Sequence, residues 1–209
     1  MSKTKLNAQP LLYPTPAVLV GANVDGKPNF MTAAWCGVAC SEPPMLAVGI
    51  RPGRYTYRGI RQNLTFSVNV PSAAMVKETD YCGVVSGAKV DKVAACGFKV
   101  FYGSLRDAPL IEQAPVNLEC RVVHMLDLGA HILVVGRVEG TYVSDDCLTD
   151  GKPDADKINP FAFIVGSAGA QYRTMGEVIA KPFGVGLELK PRSKRRPTLR
   201  PKPRPRAKK

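Results

Sequence analysis

The chain has 209 residues, 45% hydrophobic and 22% charged, which suits one globular domain, or one domain with an appendage. No run reaches the ~18 apolar residues of a membrane span, and the N-terminus MSKTKLNAQPLL lacks an apolar signal core, so a cytoplasmic location is expected. The net charge of +12 is local, because the last twenty residues hold 11 of the 29 Lys and Arg and no acid, leaving 1–189 at +1.

Taken in order, Tyr13-Pro-Thr-Pro16 reads as extended chain and Ala17 to Asn23 as a first strand. Asp25-Gly26 with Pro28 marks a hairpin turn. The stretch from residue 30 to 40 then carries Thr32, Ala33, Ala34, Gly37 and Ala39 where a buried strand normally carries larger side chains. Small residues leave the backbone open to close approach by a flat ligand or by a neighbouring strand, and both readings stand at this point. Pro43-Pro44 breaks the chain before a second strand, Met45 to Ile50. Pro52-Gly53 turns into a short helix from Tyr55 to Gln62.

Thr65 to Val70 alternates apolar and polar residues, a strand with one polar face. Ser72 to Val84 reads as a helix with Ser72 as its cap, Ser86-Gly87 as a turn, and Asp91 to Cys96 as a second short helix. Phe98 to Leu105 and Val116 to Leu126 read as strands. His131 to Val143 is the longest run of strand formers, and Gly136 and Gly140 predict that it is strongly bent. Phe161 to Val165 is a last short strand, and Met175 to Ile179 a helical turn. Strands of similar length with short helices and Gly/Pro punctuation predict a mainly β fold, an antiparallel barrel or sandwich. No βαβ series appears, nor either glycine-rich nucleotide motif.

No metal site is expected. The six cysteines include no Cys-x-x-Cys pair, and Cys36-x3-Cys40 has no His near it in sequence, so free thiols are predicted. The aspartates between 145 and 156 do not match a calcium loop and read as a solvated loop. With only two histidines, His124 and His131, and no nucleophile elbow, unaided acid–base or nucleophilic chemistry is poorly supported. A borrowed cofactor would account for the shortage of reactive side chains.

Residues suited to phosphate gather in three places: Thr32, then Arg54 and Thr56 at a helix start, then Ser86, Gly87 and Lys92 around another. Each has a plain alternative. Thr56 would serve equally as a helix cap, and Lys92 as a solvated surface charge.

Taken together, NFMTAAW (29–35), SEPPM (41–45), RPGRYTY (51–57), FSVNVP (66–71), SGAKVDK (86–92) and GAHILVVGRV (129–138) form an ordered set. On these segments the chain resembles the flavoredoxin branch of the flavin-reductase-like, FMN-binding split-barrel proteins, over roughly residues 8 to 185. The resemblance implies an antiparallel Greek-key split β-barrel with a few short helices. It also implies an FMN-binding oxidoreductase in which NAD(P)H or a redox partner protein donates electrons, through FMN, to flavin or another acceptor. Asn29, Met31, Thr32, Ala33, Ala34 and Trp35 would then border the isoalloxazine, largely through backbone groups. Arg54, Thr56, Ser86 and Lys92 would meet the phosphate. Ser67 and Asn69 would face the ribityl chain or ring edge. His131 would approach from the long strand as the catalytic or positioning group, and Phe163 would supply a late aromatic. Arg137 stands where members often have Glu, and Ala130 where the residue is often acidic or polar. The resemblance further implies a homodimer with FMN at the interface.

The expected organisation is a domain over 1–189 and a basic, Pro-rich disordered tail over 190–209. Pro191, Pro197, Pro201, Pro203 and Pro205 preclude a helix and give an arm of up to ~60 Å at ~3.1 Å per residue. A competing reading makes this tail a nucleic-acid-binding element, since its charges would hold phosphate backbones in a salt-dependent way. It has no aromatic residue for stacking on bases. The plain alternative is a solubilising terminus without a specific partner.

Overall fold

In this computed structural model, which describes residues 1–190, a short strand Thr15–Pro16 (β1) leads into Val18–Val24 (β2). Asp25 and Gly26 take positive φ, 51° and 77°, and fold the chain back as Lys27–Ala33 (β3). Two residues later Cys36–Ser41 (β4) begins, and it pairs with Pro44–Ile50 (β5). The expected continuous strand over 30–40 is therefore two strands divided at Ala34-Trp35. Small side chains permit the corner, and Gly49 N–H donates to Trp35 O at 2.7 Å across it.

Helix Tyr55–Asn63 (α1) ends on Leu64 in the left-handed conformation, and Thr65–Val70 (β6) follows. The next helix starts with a tight turn, Ala73–Met75, before Val76–Val84 (α2); Ser72 precedes that turn but makes no side-chain cap bond. Asp91 does cap Lys92–Cys96 (α3), accepting from Ala94 N–H at 3.1 Å. Of the strand expected over 98–105, only Val100–Phe101 (β7) forms, paired with Leu110–Ile111 (β8). Val116–Asp127 (β9) and Ile132–Val143 (β10) make the long hairpin. Register shifts at Val135/Gly136 and Val138/Gly140 bend it at the two glycines singled out in the sequence. Leu148–Thr149 (β11), Lys152–Pro153 (β12) and Ala155–Ile158 (α4) fill the Asp-rich loop. Phe161–Gly166 (β13) and Gly169–Thr174 (β14) close the body as a hairpin; β14, polar in sequence, was not expected.

Seven strands form one antiparallel sheet in the order β3-β2-β6-β9-β10-β5-β4. Its two edge strands are consecutive in the chain and joined by two residues, so the sheet must curl, and it is left split between them. Inside it Val18, Val20, Ala22, Met31, Val48, Ile50, Phe66 and Val134 pack with Ile60 of α1. The outer face of β2 and β3 is covered too: Leu19 and Phe30 pack with Met75, Cys82, Phe98 and Ile111. Burial on both faces is why β2 reads as an apolar run from Val18 to Ala22.

This first compact unit spans Met1–Met175. Met175 to Ile179 form no helical turn, contrary to expectation: Gly176 disfavours helix and Val178 and Ile179 are exposed, and a short helical turn lies instead at Val185–Leu189. The basic tail from residue 191 onward, with its disorder and nucleic-acid readings, lies outside the described residues. Among the described residues no group of His, Cys, Asp and Glu could hold a metal ion, all six cysteines are free, and no helix is long and apolar enough to cross a membrane.

Candidate functional site

The site is built where α1 begins. Arg54 at its N-cap makes no side-chain cap bond, so the first-turn amides of Tyr55 and Thr56 have no acceptor within the helix. Opposite them the chain leaves α2 and turns through Ser86 and Gly87 into α3. Between the two lies a cavity of about 130 Å³, lined by Met31, Gly53, Arg54, Thr56, Ser86 and Lys92.

Lys92 is buried and not solvated, which removes the surface-charge reading. Its ammonium donates to Phe30 O at 2.9 Å and to Cys82 O at 2.8 Å. Three donors less two bonds leave one N–H for the cavity. Arg54 donates to Gly83 O at 3.2 Å. Thr56, also buried, accepts from Asn29 Nδ2 at 2.6 Å, so its hydroxyl hydrogen remains to be donated elsewhere. It sits inside the first turn of α1 and does not cap it. Burial first, with the Arg54 guanidinium adding to it, pushes the Lys92 pKa below its usual value. Neither cation has a carboxylate partner among the described residues. The chemistry of this donor set is that of an anion site.

From this cradle the site continues along β3. Met31 and Ala33 belong to the barrel core, and Met31 also lines the cradle. Thr32, on the opposite face, donates its hydroxyl to Thr79 O. A second cavity of about 240 Å³ is lined by Thr32, Ala34, Asp80, Gly83, Phe163 and Tyr172. There Tyr172 donates to Asp80 at 3.0 Å. Burial, and then that carboxylate, push the Tyr172 phenol up to about 12. A third cavity, about 320 Å³ and mostly apolar, is lined by Leu12, Pro14, Thr15, Ala34, Trp35 and Cys36. Trp35 also stacks on His131, with ring centroids 4.2 Å apart and planes 39° apart. Burial first and Arg51 second lower the His131 pKa from its ordinary value, which favours the neutral imidazole.

Residues 11–155 match the family model described as the flavin reductase like domain. The chain belongs to the flavin reductase like family. It is 42% identical to a flavoredoxin from Methanosarcina acetivorans, with a TM-score of 0.86, over 91% of this chain and 100% of that one. Flavoredoxin of Desulfovibrio vulgaris (Miyazaki F) is 38% identical, with a TM-score of 0.81, over 88% and 100% of the two chains. An FMN-binding protein from Thermus thermophilus is 26% identical, with a TM-score of 0.71, over 87% and 99%.

For this flavin-reductase-like chain, most residues singled out from sequence come together. Arg54, Thr56, Ser86, Lys92 and Met31 line the cradle, and Asn29 supports Thr56 from behind. Thr32, Ala34 and Phe163 share the second cavity, while Trp35 and His131 form one aromatic pair. Ser67 and Asn69 are a correction. Both are fully buried beneath the 105–117 segment. Ser67 donates to Pro109 O, and Asn69 bonds Leu19 O, Ile111 N–H and the Asn117 amide at 3.0, 2.9 and 2.8 Å. Their polar atoms are spent holding that segment, so they do not reach the site. Asp80, Gly83 and Tyr172 were missed. Tyr172 lies on the unexpected strand β14, and Asp80 looks in sequence like any charge on a helix.

Proposed function

We propose that this protein is an FMN-binding oxidoreductase of flavoredoxin type. The observation that carries this is the pair Arg54 and Lys92, two cations without a carboxylate partner among the described residues, facing one small cavity with two hydroxyls and uncapped helix amides. This donor set fits a phosphate dianion, and the names of the flavoredoxins and of the FMN-binding relative support the same ligand. The edge of β3 runs from the cradle towards Trp35, so the ring system would lie against the backbone of residues 31–35 with Phe163 beside it. Bound FMN supplies the chemistry, taking electrons at its ring and handing them on.

The chain's own part is to hold and orient. Lys92, Arg54, Thr56 and Ser86 hold the phosphate. Amides of the 31–35 stretch stabilise charge on the ring edge. His131, braced by Trp35, positions what approaches the open face. NAD(P)H or a redox partner protein is the donor, and flavin or a downstream acceptor receives the electrons. The working form is a homodimer of the 1–189 body, with FMN at the subunit interface and a dispensable basic tail.

Titrating the flavin-free protein with FMN and with riboflavin tests the reading. FMN is expected to bind at least tenfold more tightly, since a charged hydrogen bond contributes about 1.5–3 kcal/mol. Equal affinity would remove the assignment.

A further inference from the structure

Along β3 the spaces follow one another in order. Met31 borders the cradle, Thr32 and Ala34 the second cavity, and Ala34 and Trp35 the third. The second cavity brings together polar side chains from three elements, Thr32 of β3, Asp80 of α2 and Tyr172 of β14. Their hydrogens are already placed. Thr32 donates to Thr79 O, and Tyr172 donates to Asp80 Oδ1 at 3.0 Å. With the phenol pushed up to about 12, Tyr172 keeps that hydrogen at neutral pH. What these three side chains have left to offer a ligand is lone pairs, those of two hydroxyl oxygens and of the carboxylate.

Charge points the same way. Among the described residues, Asp80 and Tyr172 are the only titratable side chains lining this cavity, and Asp80 is in no ion pair. Arg54, which bonds the Gly83 carbonyl at 3.2 Å, lines the cradle and not this space. Two neighbouring spaces thus carry opposite signs, a cationic cradle and an anionic second cavity. The pair is also held in place. Tyr172 packs edge-on against Phe161, with centroids 5.4 Å apart, and tilted against Phe163 at 5.7 Å. Gly83 brings α2 close to β3, since a Cβ there would come within 3.3 Å of Thr32 Cβ.

Phe163, Thr32 and Ala34 are residues that would border the flavin ring under Proposed function, and the inference rests on that reading. The oxidised ring is neutral. The reduced ring is negatively charged around N1 and C2=O unless it takes up a further proton. A fixed carboxylate nearby raises the energy of the charged form and leaves the neutral form almost untouched. We propose that Asp80, held in place by Tyr172, lowers the reduction potential of the bound flavin, so that the reduced protein readily passes its electrons on. The amides of residues 31–35 act in the opposite sense, and the balance of the two sets the potential.

The test is spectroelectrochemical titration of the full-length, FMN-loaded chain at neutral pH, as native, Asp80→Asn, Asp80→Glu and Tyr172→Phe. Asp80→Asn keeps an acceptor for the phenol and removes only the charge. Its potential should be more positive, because reduced FMN gains affinity relative to oxidised FMN. Asp80 is exposed, so the gain should be roughly three- to tenfold, at most about 30 mV for a two-electron couple. Asp80→Glu should bring the potential back towards the native value. Tyr172→Phe keeps the aromatic packing and the charge but frees the carboxylate to turn to water, so its shift should have the same sign and be smaller. An unchanged or more negative potential in Asp80→Asn would overturn the proposal, as would a positive shift that Asp80→Glu fails to reverse. Either result leaves FMN bound and the cradle as described. Failure of the native chain to bind FMN would instead remove the reading beneath it.

Discussion

Lys92 reaches across to the Phe30 carbonyl, 2.9 Å away, and so caps an outward-facing acceptor on an edge strand. Edge carbonyls otherwise invite pairing with another strand. Here a side chain that would read the phosphate also secures β3 to α2, through its second bond to Cys82 O.

Lys92→Ala should therefore have two effects. FMN affinity should fall roughly ten- to hundredfold, the worth of about 1.5–3 kcal/mol. The flavin-free protein should also lose stability, because two buried carbonyls lose their donor. Arg54→Gln separates these, since Arg54 is exposed. It should reduce the preference for FMN over riboflavin and leave the urea midpoint unchanged. An unchanged preference in both variants would place the phosphate elsewhere.

Glu119 sets up a pH-dependent prediction. Its carboxylate is buried and accepts from Ser104 N–H, Ser104 Oγ, Leu105 N–H and Tyr142 OH at 3.1, 2.9, 2.7 and 2.9 Å. Burial raises its pKa, but these bonds outweigh burial, and the net shift is below 4.5. A carboxylate pKa lowered by folding contributes stability that is present above its unfolded value and lost as pH falls through the folded one. Glu119→Gln should cost about 1.5–3 kcal/mol at pH 7 and flatten the acid limb of the stability profile. Urea melts at pH 7 and pH 4 measure both.

His131 is tested by anaerobic stopped-flow mixing with NADH and with NADPH, following flavin bleaching. His131→Ala should slow bleaching on the order of tenfold, the cost of losing orientation. Because burial and Arg51 lower its pKa, protonation of His131 should affect the native rate only at more acidic pH than for a free imidazole. No bleaching by either nucleotide, with normal reduction by dithionite, would mark a carrier reduced by a protein partner.

Sedimentation of the full-length chain and of residues 1–189 should give a dimer in both cases. A monomer that retains FMN at low concentration would contradict the interfacial site.

Gly59 fixes how closely α1 lies on β2. A Cβ there would come within 2.1 Å of Asn23 O, a backbone atom that cannot step aside. Gly59→Ala should destabilise by about 1–3 kcal/mol. Because the same helix carries Arg54 and Thr56, FMN affinity should fall with it. Thermal melts with and without FMN read both changes.

The mainly β, antiparallel character of the fold was legible because its signals are local, whereas the split barrel came only with the family resemblance. The Asp25-Gly26 turn, the apolar run of β2 and the glycine-bent β10 each declare themselves within a few residues. The polar half of β6 misled for a physical reason. Alternation shows that Ser67 and Asn69 share a face, but not whether water or a folded loop covers it. Here the 105–117 segment covers it and supplies the partners. The corner at Ala34-Trp35 was hidden likewise, since small residues suit a tight strand and a bend equally. Tyr172 and Asp80 meet only because α2 and β14 are brought together across 92 positions of sequence, and no window along the chain contains both.

The ordering of cavities along β3 gives that strand the character of a gauge. From Asn29 to Ala33 is four steps, about 13 Å at the usual strand rise, before the corner at Ala34-Trp35. Ligand groups would be matched to the site by counting residues, more than by the shape of any one pocket. Inserting or deleting one residue in β3 would move each group by a single step and turn its contacts to the opposite face. A change in the length of β3 would therefore change which ligand groups the site can meet, whatever loops surround it.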